Sequence, residues 1–339
     1  MGIVYLCTDL LSGASVAVKR LHRADAQPDA EDIWWFQQEA RAVASLDHPN
    51  IVRGLDFGIL TDGTPFLVMD VAKGRSLLSW LEIAAIPWPW PFPVLWSFVD
   101  QILAGLAHAH ARGIIHADLK PTNLMIHFEG PSTLPKVQIL DLGLASLIRD
   151  TVDHRLAGGN SSGRVVRAGA GTPGWMAPEQ IRRATTHYGP PTDLYALGSI
   201  LYHLVSGREP FTGTPQEVLE GHRKRPVPNF SVPESYPPEV GPFIKKLLAK
   251  RPWRRYEYAA DARRAWNRLR PTRLDVRWNF RVPVPPTAPP EPRDDDGRIV
   301  AEIPASTSFA PGLLGLRPSP LVARDEQRVA LASAVEQLC

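Results

Sequence analysis

The sequence predicts an α+β protein of two lobes: a small antiparallel β-sheet lobe with one helix, then a larger, mainly helical lobe. Three observations predict it. Short runs of small and β-branched residues crowd the first 70 positions and surround one helical pattern. From about residue 76 onward, apolar residues recur at helical spacing. After about Arg273 the composition turns to proline and charge, which is the chemistry of a linker.

Ser15-Val16-Ala17-Val18-Lys19 reads as a strand. Phe36, Ala40, Val43 and Leu46 follow at spacings of four, three and three, as on one face of a helix. Gly63-Thr64-Pro65 breaks the chain before a second strand, Phe66-Leu67-Val68-Met69-Asp70. In the helical part, Trp88-Pro89-Trp90-Pro91 reads as a packed turn. Phe98, Ile102, Leu106 and Ala109 then form an apolar stripe that stops at Gly113. Ala196 to Tyr202 begins a largely apolar helix ended by Gly207, and Ala259, Ala262, Trp266 and Leu269 mark the last one. This order predicts a cleft between two subdomains. Val282 to Pro292 contains six prolines, and Asp294-Asp295-Asp296-Gly297 follows.

The 339 residues suffice for one large domain with its own core. Apolar residues make up 44% and charged residues 22%, the balance of a soluble globular protein. A net charge of +3 does not by itself argue for nucleic acid or an acidic membrane surface. The arginines at 251, 254, 255, 263, 264 and 268 spread around a helix without interleaved aromatic stacking platforms, so they read as a solvated face. Two cysteines, Cys7 and Cys339, cannot build a disulfide framework, and a reducing cytoplasm fits them. No apolar run reaches the roughly 18 residues of a membrane span, and no signal-peptide pattern opens the chain.

The densest chemistry lies at His116-Ala117-Asp118-Leu119-Lys120-Pro121-Thr122-Asn123. Transfer of a phosphoryl group to a hydroxyl needs a carboxylate that orients the hydroxyl and accepts its proton, and Asp118 suits that role. Lys120 can neutralise charge on the transferred group, and Asn123 offers a neutral oxygen to a magnesium ion. Asp141-Leu142-Gly143 ends a strand eighteen residues after Asn123, where the Asp141 carboxylate can turn toward the metal and phosphates. Lys19 is the candidate for the α- and β-phosphates. Glu39 lies beside the apolar stripe of its helix; an inward-facing carboxylate needs a partner, which favours an ion pair with Lys19 over two solvated side chains.

Over Gly2 to about Leu269, these motifs resemble the eukaryotic-like protein kinase family, in particular its bacterial serine/threonine branch. The resemblance is carried by Val16-Ala17-Val18-Lys19, Glu39, His48-Pro49-Asn50-Ile51-Val52, the loop around Asp118, and Asp141-Leu142-Gly143. Gly171 to Glu179, Asp193 to Gly198 and Pro252 to Arg255 complete it. It implies the two-lobed protein kinase fold, with ATP and Mg2+ as cofactors and proteins with Ser or Thr acceptors as substrates. By the same resemblance Gly2 ends a phosphate-covering loop, Val4 and Ala17 roof the adenine, and Met69 is the gatekeeper. The backbone of Asp70 and Ala72 binds the adenine edge. Thr172 sits beside Asp118 and Lys120, Glu179 pairs with Arg255, and Asp193 braces the catalytic loop through its backbone amides. His116 and Leu142 are packed spine residues, and His110 is structural.

The resemblance implies a kinase domain over 1–270, with a small lobe to about 69, a hinge at 70–72 and a large lobe over 73–270. A Pro-rich linker follows over 271–316. Residues 317–339 resemble the start of an AAA-like ATPase module, with a tail ending in a short helix as the alternative. The sequence departs from the family in three places. Only the end of the glycine-rich loop is present, as Gly2-Ile3-Val4, with the first strand missing, which implies that Met1 is an internal methionine. Ala117 replaces an arginine that receives an activation-loop phosphate, which weakens control through Ser161 or Ser162 in the Gly-, Ser- and Arg-rich segment Leu156 to Ala170. Leu142 replaces a commoner phenylalanine, an apolar exchange. A pseudokinase scaffold is the first rival reading. An aminoglycoside- or choline-type small-molecule kinase is the second, disfavoured by Gly171-Thr172-Pro173 and Ala177-Pro178-Glu179.

Overall fold

A computed structural model describes residues 2–9, 12–21, 40, 44–60, 64–82, 89–129, 133–142, 173–182 and 187–274. They divide into two compact units. One holds the described residues up to Ser45 together with 53–71, and the other holds Leu46–Val52 and the described residues from Ala72 onward.

The first unit is a four-stranded antiparallel sheet of β1 (Gly2–Thr8), β2 (Ser15–Leu21), β3 (Gly54–Ile59) and β4 (Pro65–Asp70), in the order β1-β2-β4-β3. Side chains in register across antiparallel strands share a face, and alternate residues take opposite faces. Cys7 lies opposite Val16, and Val18 opposite Val68. With Leu60 and Phe66 they form a buried cluster on one face. The other face carries Val4, Leu6, Ala17, Lys19, Leu67 and Met69, because Val4 pairs with Lys19, Lys19 with Leu67, and Ala17 with Met69. Leu67 packs there against Phe57 and Ala40. Of the helix expected over Phe36 to Leu46, positions 36, 39 and 43 lie outside the described residues.

The second unit contains a three-stranded sheet, β5 (Arg75–Ser76), β6 (Leu124–His127) and β7 (Lys136–Ile139), in chain order. Its helices are α1 (Leu77–Glu82), α2 (Phe92–His110), α3 (Pro178–Ile181), α4 (Pro190–Ser206), α5 (Pro215–Arg223), α6 (Val240–Leu247) and α7 (Ala259–Asn267). The second half of Trp88-Pro89-Trp90-Pro91 is packed as expected: Trp90 is buried, meets Phe98 edge-on, and its carbonyl accepts the Tyr236 hydroxyl.

Helix α2 ends where Gly113 takes a left-handed backbone (φ 75°), with the Ile114 N–H returning to the Ala109 carbonyl. This reversal sends Ile114 and Ile115 into the core ahead of Asp118. Helix α4 starts at Pro190, six residues before the apolar run read from sequence. Prolines fit a helix's first turn because those N–H groups have no partner within the helix. The earlier start places Asp193 in that first turn, where the helix dipole favours a negative charge.

Candidate active site

The loop before Asp118 is held from α4. Asp193 Oδ2 accepts the His116 N–H at 2.9 Å, and Oδ1 accepts the Ala117 N–H at 2.7 Å. Oδ2 also lies 2.9 Å from His110 Nε2 on α2, with both side chains buried. A carboxylate only accepts, so Nε2 of His110 carries the proton. Ala117 itself is left-handed (φ 50°), a conformation that costs a non-glycine residue about 1–2 kcal/mol. Hydrogen bonds to a charged group contribute about 1.5–3 kcal/mol each, enough to hold it there.

The loop's polar side chains converge. Lys120 Nζ donates to Asp118 Oδ2 at 2.6 Å, with both side chains mostly but not wholly buried. Among the described residues, Asp118 Oδ1 accepts no hydrogen bond. A 3-10 turn, Pro121–Asn123, brings Asn123 back under the loop, where its Nδ2 donates to the Asp118 carbonyl at 2.9 Å. That bond commits the amide nitrogen and, among the described residues, leaves Oδ1 with a long 3.4 Å contact from the Thr122 hydroxyl.

Asp141 is delivered by the β6–β7 hairpin. The Leu140 N–H donates to the Asn123 carbonyl at 2.8 Å, tying the residue before Asp141 to the loop that carries Asp118. Asp141 is also left-handed (φ 56°), a region that Asp tolerates better than most residues. Behind it, Asn50 Nδ2 donates to the Gln101 side chain at 3.0 Å and to the Val137 carbonyl at 2.8 Å. The Asn50 carbonyl accepts the Ile139 N–H at 2.9 Å. Gly105 permits this approach, since a Cβ there would stand 3.0 Å from Ile139 and 3.2 Å from the Asn50 carbonyl oxygen. Leu142 is buried, and Gly143 lies outside the described residues.

Glu179 on α3 meets the guanidinium of Arg255 and takes the Thr192 hydroxyl at 3.0 Å. The next residue, Gln180, was not singled out from sequence. Its Nε2 donates to the Ala117 carbonyl at 2.6 Å while its Oε1 accepts the Ala177 N–H at 2.9 Å. A polar residue directly after Ala177-Pro178-Glu179, among buried neighbours, is the signal that could have found it. Deeper in the same unit, Lys250 donates to the Tyr195 hydroxyl at 3.2 Å, and that hydroxyl lies 3.0 Å from His222 Nδ1.

The remaining candidates fall in the sheet of the first unit or outside the description. Val4, Ala17, Lys19 and Met69 share the face opposite the buried cluster, and Val4 is 56% exposed there. Gly2 pairs through its backbone with Leu21, and the Asp70 N–H donates to the Arg53 carbonyl at 3.0 Å. Ala72 opens the connection to β5 in the second unit. Glu39, Ser161, Ser162, Thr172 and the segment 317–339 lie outside the described residues.

Residues 1–266 match the family described as "Protein kinase domain". The serine/threonine-protein kinase PrkC of Bacillus subtilis is 33% identical over 268 residues, covering 77% of this chain and 37% of its own length. The serine/threonine-protein kinase Pkn1 of Myxococcus xanthus is 35% identical over 268 residues, covering 78% and 36%. The serine/threonine-protein kinase PknB of Mycobacterium leprae is 32% identical over 268 residues, covering 78% and 40%. The chain thus spans well under half the length of these curated relatives.

Proposed function

The chain belongs to the protein kinase family, in its bacterial serine/threonine branch, and on that premise we propose that it transfers the γ-phosphate of ATP to serine and threonine hydroxyls of proteins. The observation that carries this reading is the Asp118 carboxylate, with one oxygen on Lys120 and the other accepting no hydrogen bond among the described residues. In this reading, Asp118 Oδ1 orients the acceptor hydroxyl and takes its proton as the new P–O bond forms and the β–γ bridging P–O bond breaks. The products are a phosphoester and ADP. Lys120 stays beside Asp118 and offsets charge on the group in flight.

Asn123 and Asp141 are the residues that would hold Mg2+. Both supply oxygen, the donor a hard divalent cation selects, and the bond from Asn123 Nδ2 to the Asp118 carbonyl turns the oxygen end of the amide to that use. When bound, the ion neutralises the phosphate charge. By the family resemblance Lys19, with Glu39 as its ion-pair partner, grips the α- and β-phosphates. Gly2 and Val4 cover the nucleotide with Ala17 beside Met69, and the backbone at Asp70 and Ala72 reads the adenine edge. Thr172 stands on the acceptor side. Glu179, Arg255 and Asp193 keep the site in shape.

We place the protein in the cytoplasm, in signalling. A free, buried Cys7 accords with a reducing compartment, and no described helix is long and apolar enough to cross a membrane. Residues 271–316 act as a linker, and 317–339 as the start of a further module or a tail.

A phosphotransfer assay with ATP, Mg2+ and a Ser/Thr-rich test protein decides the matter. Label should appear on Ser and Thr, and Asp118→Asn should lower the rate about 10²–10⁴-fold while nucleotide binding persists. Undiminished transfer by that variant, or label on tyrosine alone, overturns the reading.

A further inference from the structure

We propose that Gln180 is a positioning residue for catalysis: its side-chain amide clamps the Ala117 carbonyl and thereby sets the peptide plane that leads into Asp118. This rests on the kinase reading above.

The carbonyl of Ala117 and the N–H of Asp118 lie in one rigid plane, so fixing that oxygen fixes the direction in which the chain enters Asp118. Ala117 is left-handed and strained, and two groups from distant segments hold it. Asp193 takes its N–H at 2.7 Å, and Gln180 caps its carbonyl at 2.6 Å. The next residue on the chain is the proposed base.

The chemistry of the clamp is specific to an amide. Gln180 must donate at one end, to the Ala117 carbonyl, and accept at the other, from the Ala177 N–H. The two partners fix which end is nitrogen. Glutamate would keep the bond from Ala177 and set an anionic oxygen against the Ala117 carbonyl. Leucine would make neither bond and leave two polar backbone groups without these partners. Gln180 is 9% exposed, so water does not readily replace what is lost.

The position of Gln180 gives the clamp a role beyond stability. It follows Glu179, which Arg255 anchors, and its Oε1 ties back to Ala177 at the end of the segment that begins with the Pro173–Trp175 turn. Segment 173–177 and the loop before Asp118 are therefore one hydrogen-bonded piece. Ala117 has only a methyl group and cannot pair with a phosphate. The link that sets this loop runs through a neutral amide already in place, so the loop's geometry does not wait for a modification.

The test compares Gln180→Glu and Gln180→Leu with the parent chain in two measurements. The first is steady-state phosphotransfer to a Ser/Thr-rich test protein. Both variants should lose about tenfold or more in kcat, with KM for ATP within about twofold of the parent. The second is hydrogen–deuterium exchange over residues 114–120, where uptake should rise in both variants by more than the change in global stability, read by thermal melting of the same samples, accounts for. Gln180→Glu with kcat within about twofold of the parent and unchanged exchange overturns the proposal. So does a loss of kcat that merely tracks a falling folded fraction. If the parent transfers no phosphate, the exchange measurement still decides: raised uptake supports the clamp, unchanged uptake overturns it, and only the kinase reading bears the missing activity.

Discussion

Arg255 closes both ends of its guanidinium on Glu179, with Nη1 2.7 Å from Oε1 and Nη2 2.9 Å from Oε2, and neither side chain is more than 3% exposed. The remaining donors are used as well: Nε on the Ala249 carbonyl at 2.8 Å, Nη1 on that of Pro191 at 2.8 Å, and Nη2 at a long 3.5 Å on that of Lys250. A buried pair of this kind stabilises through completeness. Removing either partner alone strands a charge, which costs about 3–5 kcal/mol. Glu179→Ala and Arg255→Ala should each lower the unfolding free energy by that amount in urea titrations. Arg255→Lys should also lose stability, because an ammonium cannot reproduce the planar fork. A double apolar replacement should cost less than the sum of the single changes.

Asp193→Asn should be far more damaging to turnover than its small change in shape suggests. Asp193 accepts from the His116 N–H, the Ala117 N–H and His110 Nε2. An amide in its place turns one NH2 group toward a donor. Displacing the loop by about 1 Å is enough to cost roughly 10²-fold in rate. Phosphotransfer and thermal melting on the same variant separate this loss from unfolding.

Acid should weaken the second unit through His222. Burial, and then the Lys250 charge, lower its pKa to about 3. Lys250 can only donate to the Tyr195 oxygen, so the Tyr195 proton is left to bond a bare His222 Nδ1. Protonating Nδ1 breaks that bond. Between about pH 6.5 and about 3 the unfolded chain binds the extra proton and the folded one does not, so stability falls as pH drops through this window. The contribution approaches about 1.4 kcal/mol per pH unit. His222→Gln should flatten the stability profile from pH 7 to 4 relative to the parent, and parallel profiles would contradict the assignment.

Ala117→Gly tests the backbone directly. Glycine removes the left-handed penalty of about 1–2 kcal/mol and adds a chain-entropy cost of about 0.5–1 kcal/mol. Chemical denaturation should show stability unchanged or raised by up to about 1.5 kcal/mol, where a typical Ala→Gly change lowers it.

Much of the site was legible in the sequence because its residues are close along the chain. Asp118, Lys120 and Asn123 fall within six positions, and the hydrogen bonds that join them are correspondingly local. The stop of α2 at Gly113 was legible for the same reason. The resemblance supplied the Glu179–Arg255 pair and the role of Asp193, contacts that no local pattern encodes. Gln180 and the Asn50–Gln101 bond stayed hidden, since each joins groups 51 or more residues apart and depends on how packed elements meet. The early start of α4 was masked by its two prolines, which read as breakers anywhere except in a first turn.

The left-handed turn at Ala117 also has a place in time. Its N–H is satisfied by Asp193, 76 residues further along the chain, so the turn lacks its anchor until α4 has been synthesised. At about 5–20 residues per second, a ribosome leaves the loop in that state for on the order of ten seconds. A nascent chain stalled before Gln180 would therefore carry Asp118, Lys120 and Asn123 in full and neither of the side chains that hold the turn. The residues proposed to act on the substrate are translated early, and the turn that precedes them is completed late.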